Sequence, residues 1–186
     1  MTMKKVLLAL VAVLLVTSVS AQKWSVGGRV GSGFEVVGQY SLNETNYIEA
    51  RFGASWLDVG ARYKFGPAYE MGGYLIQDYY WPGITADFTA LYNWHVLEFD
   101  WTPKAGKWFL DAGAGLNVGG AKEYAYFGLA GMARLGFTFN KVPLTLAVDY
   151  TPTVGLNFIY MKNVKTDVNF RHMGLANFGI TCTYNF

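Results

Sequence analysis

The chain ends with the nine residues Phe178-Gly179-Ile180-Thr181-Cys182-Thr183-Tyr184-Asn185-Phe186, in which every second residue is apolar. The residues between the apolar positions are small or polar. Because successive side chains of a β-strand point to opposite faces, this pattern predicts a strand with one apolar and one polar face. A soluble β-sandwich also produces such alternation, but it rarely ends on an exposed phenylalanine. We therefore predict that this strand belongs to a small β-barrel whose apolar outer face meets lipid.

The same period of two recurs along the whole chain. It occurs in eight segments, at residues 24–31, 34–40, 47–56, 84–95, 107–118, 126–139, 144–151 and 172–186. A tilted barrel strand that crosses a membrane needs roughly 9–11 residues, which most of these segments approach or exceed. The pattern predicts an all-β fold, namely an eight-stranded antiparallel up-and-down transmembrane β-barrel.

The connections predict which end of the barrel is which. Residues 43–46, 97–106 and 140–143 read as short turns, and Gly119-Gly120 reads as a turn region. Residues 57–83 and 153–170 read as long loops, the first with the option of a projecting hairpin. Outer-membrane barrels have short periplasmic turns and longer outer loops. We therefore expect both ends of the mature chain, and the short turns, to face the periplasm.

The first residues have the pattern of a cleavable signal peptide. Lys4 and Lys5 precede an apolar run over residues 6–16, and Val19-Ser20-Ala21 resembles a cleavage site. The run is shorter than the roughly 20 residues of a membrane-spanning helix. Gln22, and not a cysteine, follows the cleavage site, which argues against a lipoprotein. We predict a signal peptide over 1–21 and one barrel domain over 22–186.

Composition excludes some classes of function. Removal of Lys4 and Lys5 takes the 15 basic residues to 13, which equals the number of acidic residues, so we expect no nucleic-acid partner. Cys182 is the single cysteine, which excludes an intramolecular disulfide, and we interpret it as a small apolar residue on the lipid face. The 22 glycines, 6 tryptophans, 13 tyrosines and 13 phenylalanines suit tight turns and an apolar outer wall.

Aromatic residues recur at the predicted ends of the strands. Trp and Tyr concentrate where a membrane meets water. The predicted periplasmic girdle consists of Trp24, Tyr40, Trp94, Trp108, Phe139, Tyr184 and Phe186. An outer girdle would contain Trp56, Phe34 and Phe127.

Several motifs resemble those of a known class of protein. These are a glycine-rich first hairpin, then Leu91-Tyr92-Asn93-Trp94-His95, Asp111-Ala112-Gly113-Ala114-Gly115, the segment from Val142 to Pro152, and an aromatic terminus. Together they resemble small outer-membrane β-barrel proteins of Bacteroides-type bacteria, similar in architecture to OmpX/OmpW-type barrels. The resemblance covers most of residues 23–186 except 57–83.

The resemblance implies a location and two partners. It implies residence in the cell outer membrane, surrounded by outer-membrane lipid. It also implies that the barrel-insertion machinery reads the terminal strand. The insertion signal would consist of Phe178, Ile180, Tyr184 and Phe186.

Charged residues recur on the predicted inward face. An eight-stranded barrel is just wide enough to be filled by side chains, and buried charges must be paired. We therefore interpret these residues as an ion-pair network that fills the lumen, and a narrow channel or transport route for small or apolar solutes is the alternative. The predicted lumen network is Arg29, Glu35, Glu49, Arg51, Asp87, Asp111, Arg134 and Asp149, to which the alternation adds Lys107.

The sequence contains no recognisable set of catalytic residues. His95 and His172 fall at opposite rims, which makes a poor metal site. Hydrolysis of lipid needs a nucleophile, a base and an orienting acid close together. No recognisable motif joins a candidate serine to either histidine; the candidates are Ser25, Ser32, Ser41 and Ser55. We expect neither catalytic residues, metal nor cofactor, and keep a lipid A-modifying barrel enzyme as a further alternative.

The aromatic residues of 57–83 are the predicted contact surface, because exposed aromatic clusters tend to bind something. They are Tyr63, Tyr69, Tyr74, Tyr79, Tyr80 and Trp81. We expect an extracellular protein or glycan as the partner. The sequence as a whole favours a non-enzymatic barrel that is structural or binds partners through its outer loops.

Overall fold

A computed structural model describes residues 23–55, 60–64, 76–80, 84–102, 104–122, 124–159, 167–171 and 177–186. The regular structure within these ranges consists of β-strands. They are β1 (Trp24–Gly31), β2 (Gly33–Ser41), β3 (Asn46–Ser55), β4 (Gly60–Lys64), β5 (Ile76–Tyr80), β6 (Thr85–Phe99), β7 (Gly106–Ala121), β8 (Tyr124–Phe139), β9 (Leu144–Tyr150), β10 (Thr153–Ile159), β11 (Asp167–Arg171) and β12 (Phe178–Asn185).

Eight of these strands close into a barrel. Going round the barrel, the order is β1, β2, β3, β6, β7, β8, β9 and β12, and every neighbouring pair is antiparallel. The two ends of the chain meet at the seam, where β1 pairs with β12 from Ser25↔Asn185 to Gly31↔Gly179. The predicted eight-stranded antiparallel up-and-down barrel is therefore confirmed. The described residues contain no helix with the length and apolar character to cross a membrane.

One end of the barrel, here called the short-turn end, carries the connections 42–45, 100–105 and 140–143. The first is a tight turn because Asn43 Oδ1 accepts hydrogen bonds from the backbone N–H groups of Thr45 (2.9 Å) and Asn46 (2.8 Å). The predicted turn over 97–106 is too long. The ladder between β6 and β7 continues past a bulge between His95 and Leu97 as far as Phe99↔Trp108.

The opposite end, here called the hairpin end, carries two further strand pairs. β4 pairs with β5 from Gly60↔Tyr80 to Lys64↔Ile76, which agrees with the projecting hairpin considered for residues 57–83. The prediction of a loop over 153–170 is wrong, because β10 pairs with β11 and also with β8. Pro152 misled the prediction, since proline lacks an N–H and marks a strand end. Here Pro152 separates β9 from β10, and both strands pair with β8. The carbonyl of Pro152 accepts a hydrogen bond from the N–H of Gly131 (2.8 Å).

Gly119 and Gly120 lie inside β7, so the turn that they predict is also wrong. Gly119 leaves room for an inward side chain, because a Cβ at this position would collide with the hydroxyl of Tyr126 on the paired strand. Gly136 does the same for the ring of Phe109. These glycines serve packing inside the barrel and do not serve turns.

The two faces of the wall have opposite chemistry. Large apolar side chains lie exposed on the outside, such as Phe52 (63% exposed), Leu129 (62%) and Ile180 (62%). The inside holds the buried charges and a small apolar cluster of Leu91, Ala130 and Met132. Alternation along each strand produces this arrangement, as the sequence pattern predicts.

Candidate functional site in the barrel interior

Three arginines from three strands meet inside the barrel. Arg29 lies on β1, Arg51 on β3 and Arg134 on β8, and each side chain is at most 2% exposed. Each occupies an inward position of its strand, because its neighbours on either side point outward. Guanidinium groups without water must find acceptors inside the wall.

Arg29 connects β1 to the neighbouring strand β2 and to β9, which lies one strand further on, beyond β12. Its Nη1 donates to Glu35 Oε2 (2.8 Å), and its Nε donates to Asp149 Oδ1 (2.7 Å). A third hydrogen bond runs from Nη2 to Asn177 Oδ1 (3.0 Å). Asp149 also accepts from the hydroxyl of Thr181 (2.6 Å). The carboxylate of Asp149 is thereby held from several strands.

The carboxylate of Glu49 accepts four hydrogen bonds from side chains. It is fully buried and accepts two hydrogen bonds from Arg134, at 2.7 and 2.9 Å. Arg51 Nε and Gln39 Nε2 donate to the same carboxylate, each at 2.5 Å. Bidentate guanidinium–carboxylate pairs of this kind are strong and directional.

Asp149 completes this cluster. It lies 3.5 Å from Arg51 Nη1 and 3.8 Å from Arg134 Nη2. We call the group of six the central ion cluster, and its three guanidinium groups balance its three carboxylates. Its members are Arg29, Glu35, Glu49, Arg51, Arg134 and Asp149.

Asp111 lies nearer the short-turn end and has a different partner. Its Oδ1 is 2.8 Å from His95 Nδ1, and its Oδ2 accepts from the hydroxyl of Tyr47 (2.6 Å). Tyr47 in turn accepts from Arg134 (3.0 Å), which links this pair to the central ion cluster. The sequence alone indicates no partner for His95. The alternation places it on the same face as Asp111, but only the pairing register places them side by side.

Asp87 stands apart, towards the hairpin end. Its carboxylate accepts from Asn117 Nδ2 (3.0 and 3.2 Å), from Thr89 (3.2 Å) and from the hydroxyl of Tyr126. Within the described ranges it makes no ion pair. On this side of the wall, Leu91, Ala130 and Met132 lie between Asp87 and the Asp111 pair.

A cavity of about 260 Å³ opens at the short-turn end. Strands β2, β3, β6, β7, β8, β9 and β12 contribute to it, and Arg134 and Asp111 lie among its lining residues. Four buried polar atoms of the described interior make no hydrogen bond with the protein. They are Arg51 Nη2, Arg134 Nε, and both amide atoms of Asn93.

Lys107 lies on the inward face of β7 but not within the buried network. It lines the cavity together with Phe109 and Asp111. Its ammonium group is exposed at the short-turn end, 3.2 Å from Glu98 Oε2. Lys107 therefore belongs to the open mouth of the barrel and not to the central ion cluster.

The predicted periplasmic girdle lies around the short-turn end. Trp24 contacts Tyr40 (ring centroids 4.7 Å apart), and Tyr184 contacts Phe186 (5.0 Å). Between Trp108 and Phe139 the ring of Phe137 completes a row, at 5.0 and 4.8 Å. Phe99, Trp101 and Tyr92 join the same aromatic band and were missed by the sequence analysis.

The remaining predicted residues are placed as follows. Phe34 and Phe127 are exposed on the outer face, as are Phe178, Ile180, Tyr184 and Cys182. Tyr63 lies in β4, and Tyr79 and Tyr80 lie in β5. Trp56, Tyr69, Tyr74, Trp81, His172 and the predicted signal peptide fall outside the described residues.

The structure also shows how the residues considered for metal binding and for lipid hydrolysis are arranged. Within the described ranges, no cluster of three or more His, Cys, Asp and Glu side chains could hold a metal ion. Ser25 donates to Asn185 (2.8 Å), Ser32 to Asn177, and Ser55 to the carbonyl of Ser32 (3.2 Å). The His95–Asp111 pair supplies a base and an orienting acid, but these serines are engaged elsewhere.

The chain matches no protein-family model, no curated protein and no solved structure.

Proposed function

We propose that the protein is an integral β-barrel of the cell outer membrane. The observation that carries this proposal is the inverted polarity of the wall, with its large apolar side chains outside and its charges inside. A barrel in water would expose polar groups and bury apolar ones. Lipid is the solvent in which an exposed apolar band flanked by aromatic residues is stable.

The location is tested by membrane fractionation together with gel mobility before and after boiling. We expect the protein in the outer-membrane fraction, with a shift in mobility on heating because closed barrels resist unfolding by detergent. Recovery in the soluble periplasm with no shift would refute the proposal. A soluble periplasmic protein provides the fractionation control.

The role that we propose within that membrane is structural. The central ion cluster, Tyr47 and the Leu91 cluster occupy the interior, and this supports a lumen that solutes do not cross. The alternative, a narrow channel, predicts discrete current steps when the purified protein is reconstituted in a planar bilayer. We expect none above the baseline of protein-free bilayers.

We further propose that partners bind at the hairpin end and that the protein is not an enzyme. The hairpin β4–β5 forms a two-stranded sheet of its own, separate from the sheet of the barrel, and this supports a role in contacts with partners. The partner would be an extracellular protein or glycan. The lipid A-modifying alternative would require a nucleophile next to His95, and it predicts an altered lipid A mass profile in a deletion strain.

A further inference from the structure

We propose that the cavity at the short-turn end binds a small uncharged polyol of about the size of a monosaccharide. This inference concerns the end opposite the hairpins and does not depend on where the barrel resides. It rests on the hydrogen-bonding groups, the charges, the aromatic part of the wall and the size of the cavity.

The cavity is an open pocket in the mouth of the barrel. The turn residues Asn43, Glu44 and Thr45 lie at its rim, and Arg134, which is 2% exposed, lies at its inner end. Strands from nearly the whole circumference supply the wall between them. A ligand in this cavity would therefore contact several strands and remain open to water at the rim.

The lining is rich in hydroxyl groups. Ser41, Thr138, Thr145 and Thr183 all line the cavity. Thr138 and Thr145 share one hydrogen bond (3.0 Å), and Asn185 Nδ2 donates to Thr145 (3.0 Å). A hydroxyl group both donates and accepts. Such a lining is best matched by a ligand whose own groups do both, such as a polyol.

Most charges of the lining already have partners within the protein, which favours a neutral ligand. Lys107 pairs with Glu98 (3.2 Å), and His95 lies 2.8 Å from Asp111. Arg134 is bound by Glu49, which lies outside the cavity lining. A charged ligand would compete with these existing pairs, whereas a neutral ligand leaves them intact. Among the charged lining residues, Glu44 makes no ion pair with the described part of the chain, and it lies on the exposed rim.

One part of the wall is aromatic. The ring of Phe109 lies against that of His95, with centroids 5.6 Å apart, and both line the cavity. Aromatic rings offer a rigid apolar surface on which the C–H face of a sugar ring can pack. The volume of about 260 Å³ corresponds to roughly nine water molecules at about 30 Å³ each, which is enough for one hexose.

The experiment uses the full chain, purified and folded in detergent micelles, and saturation-transfer NMR with D-glucose as the probe. D-glucosamine and D-glucuronate present a closely similar ring with a positive and a negative charge. We expect transfer to D-glucose, and a several-fold weaker effect for both charged sugars. Absence of transfer to D-glucose, or equal transfer to all three sugars, would overturn the proposal.

Two variants locate the binding. Thr45→Trp places a large ring at the rim, and we expect it to abolish the transfer. Val142→Trp is the matched control, because Val142 lies exposed on the neighbouring turn and does not line the cavity. Thr183→Val, which removes one hydroxyl at nearly constant shape, should weaken the transfer several-fold. Full transfer in Thr45→Trp would mean that the sugar binds elsewhere and would refute the site.

Discussion

At the scale of single residues, the interior of the barrel depends on a few buried charges that hold several strands together. Glu49 is the clearest case, since Arg134, Arg51 and Gln39 all donate to one carboxylate without access to water. Replacement of such a pair by apolar groups is often harmless, but removal of one partner leaves the other buried and unpaired. Glu49 therefore matters to stability through the guanidinium groups that it compensates.

We predict that Glu49→Gln lowers the free energy of unfolding by about 3–5 kcal/mol. The amide keeps the shape but not the charge, so the buried guanidinium groups of Arg51 and Arg134 lose a negatively charged partner. Urea unfolding in lipid vesicles, followed by tryptophan fluorescence, measures the change. Glu44→Gln is the control, because Glu44 is exposed on a turn and its replacement should change little. Equal midpoints for the two variants would contradict the importance of the cluster.

At the scale of elements, β6 displays the two faces of the wall without interruption over most of its length. Thr85, Asp87, Thr89, Leu91 and Asn93 are all buried. Phe88 and Tyr92 are exposed between them. The bulge after His95 shifts the register between β6 and β7, which turns the last residues of β6 out of the earlier alternation.

We predict that spin labels on β6 separate into two classes in lipid vesicles. Labels at single cysteines replacing Phe88 and Ala90, in a Cys182→Ser background, should be accessible to oxygen dissolved in lipid. Labels that replace Asp87 and Thr89 should not, because these side chains point into the barrel. Power-saturation electron paramagnetic resonance makes the measurement. Identical behaviour at all four positions would refute the lipid-facing wall.

At the scale of the whole molecule, the barrel closes where the two ends of the chain meet. The N–H of Phe186 donates to the carbonyl of Trp24 (2.9 Å), and its ring contacts Tyr184. One such hydrogen bond contributes about 0.5–1.5 kcal/mol net. The terminal residue is therefore a small part of the stability of the finished barrel.

We predict that deletion of Phe186 lowers the amount inserted in cells but hardly changes refolding of the purified chain into detergent. The terminal aromatic would act as a recognition signal, and the seam loses only one hydrogen bond without it. Heat-modifiable gel mobility quantifies both. Phe186→Trp is the control, since it keeps an aromatic terminus and should insert normally. Normal insertion of the shortened chain would rule out the signal.

The sequence by itself determined the number of barrel strands, the face of nearly every described side chain and the positions of two of the short turns. This is possible because the period of two is local, and each residue's face follows from that of its neighbour. The inward placement of Arg29, Glu49 and Arg134 follows from the same pattern. The errors at Pro152 and at Gly119-Gly120 arose because proline and glycine occur both in turns and within or between the strands of a sheet.

Only the tertiary structure decided which of these residues meet. His95 and Asp111 lie side by side because the register of β6 against β7 places them there, just before a bulge. Arg134 reaches Glu49 across the lumen, from a strand that is not its neighbour. Register depends on turn lengths, bulges and packing over the entire barrel, so it is a global property. The central ion cluster and the cavity beside it are consequences of that register, and alternation alone does not specify them.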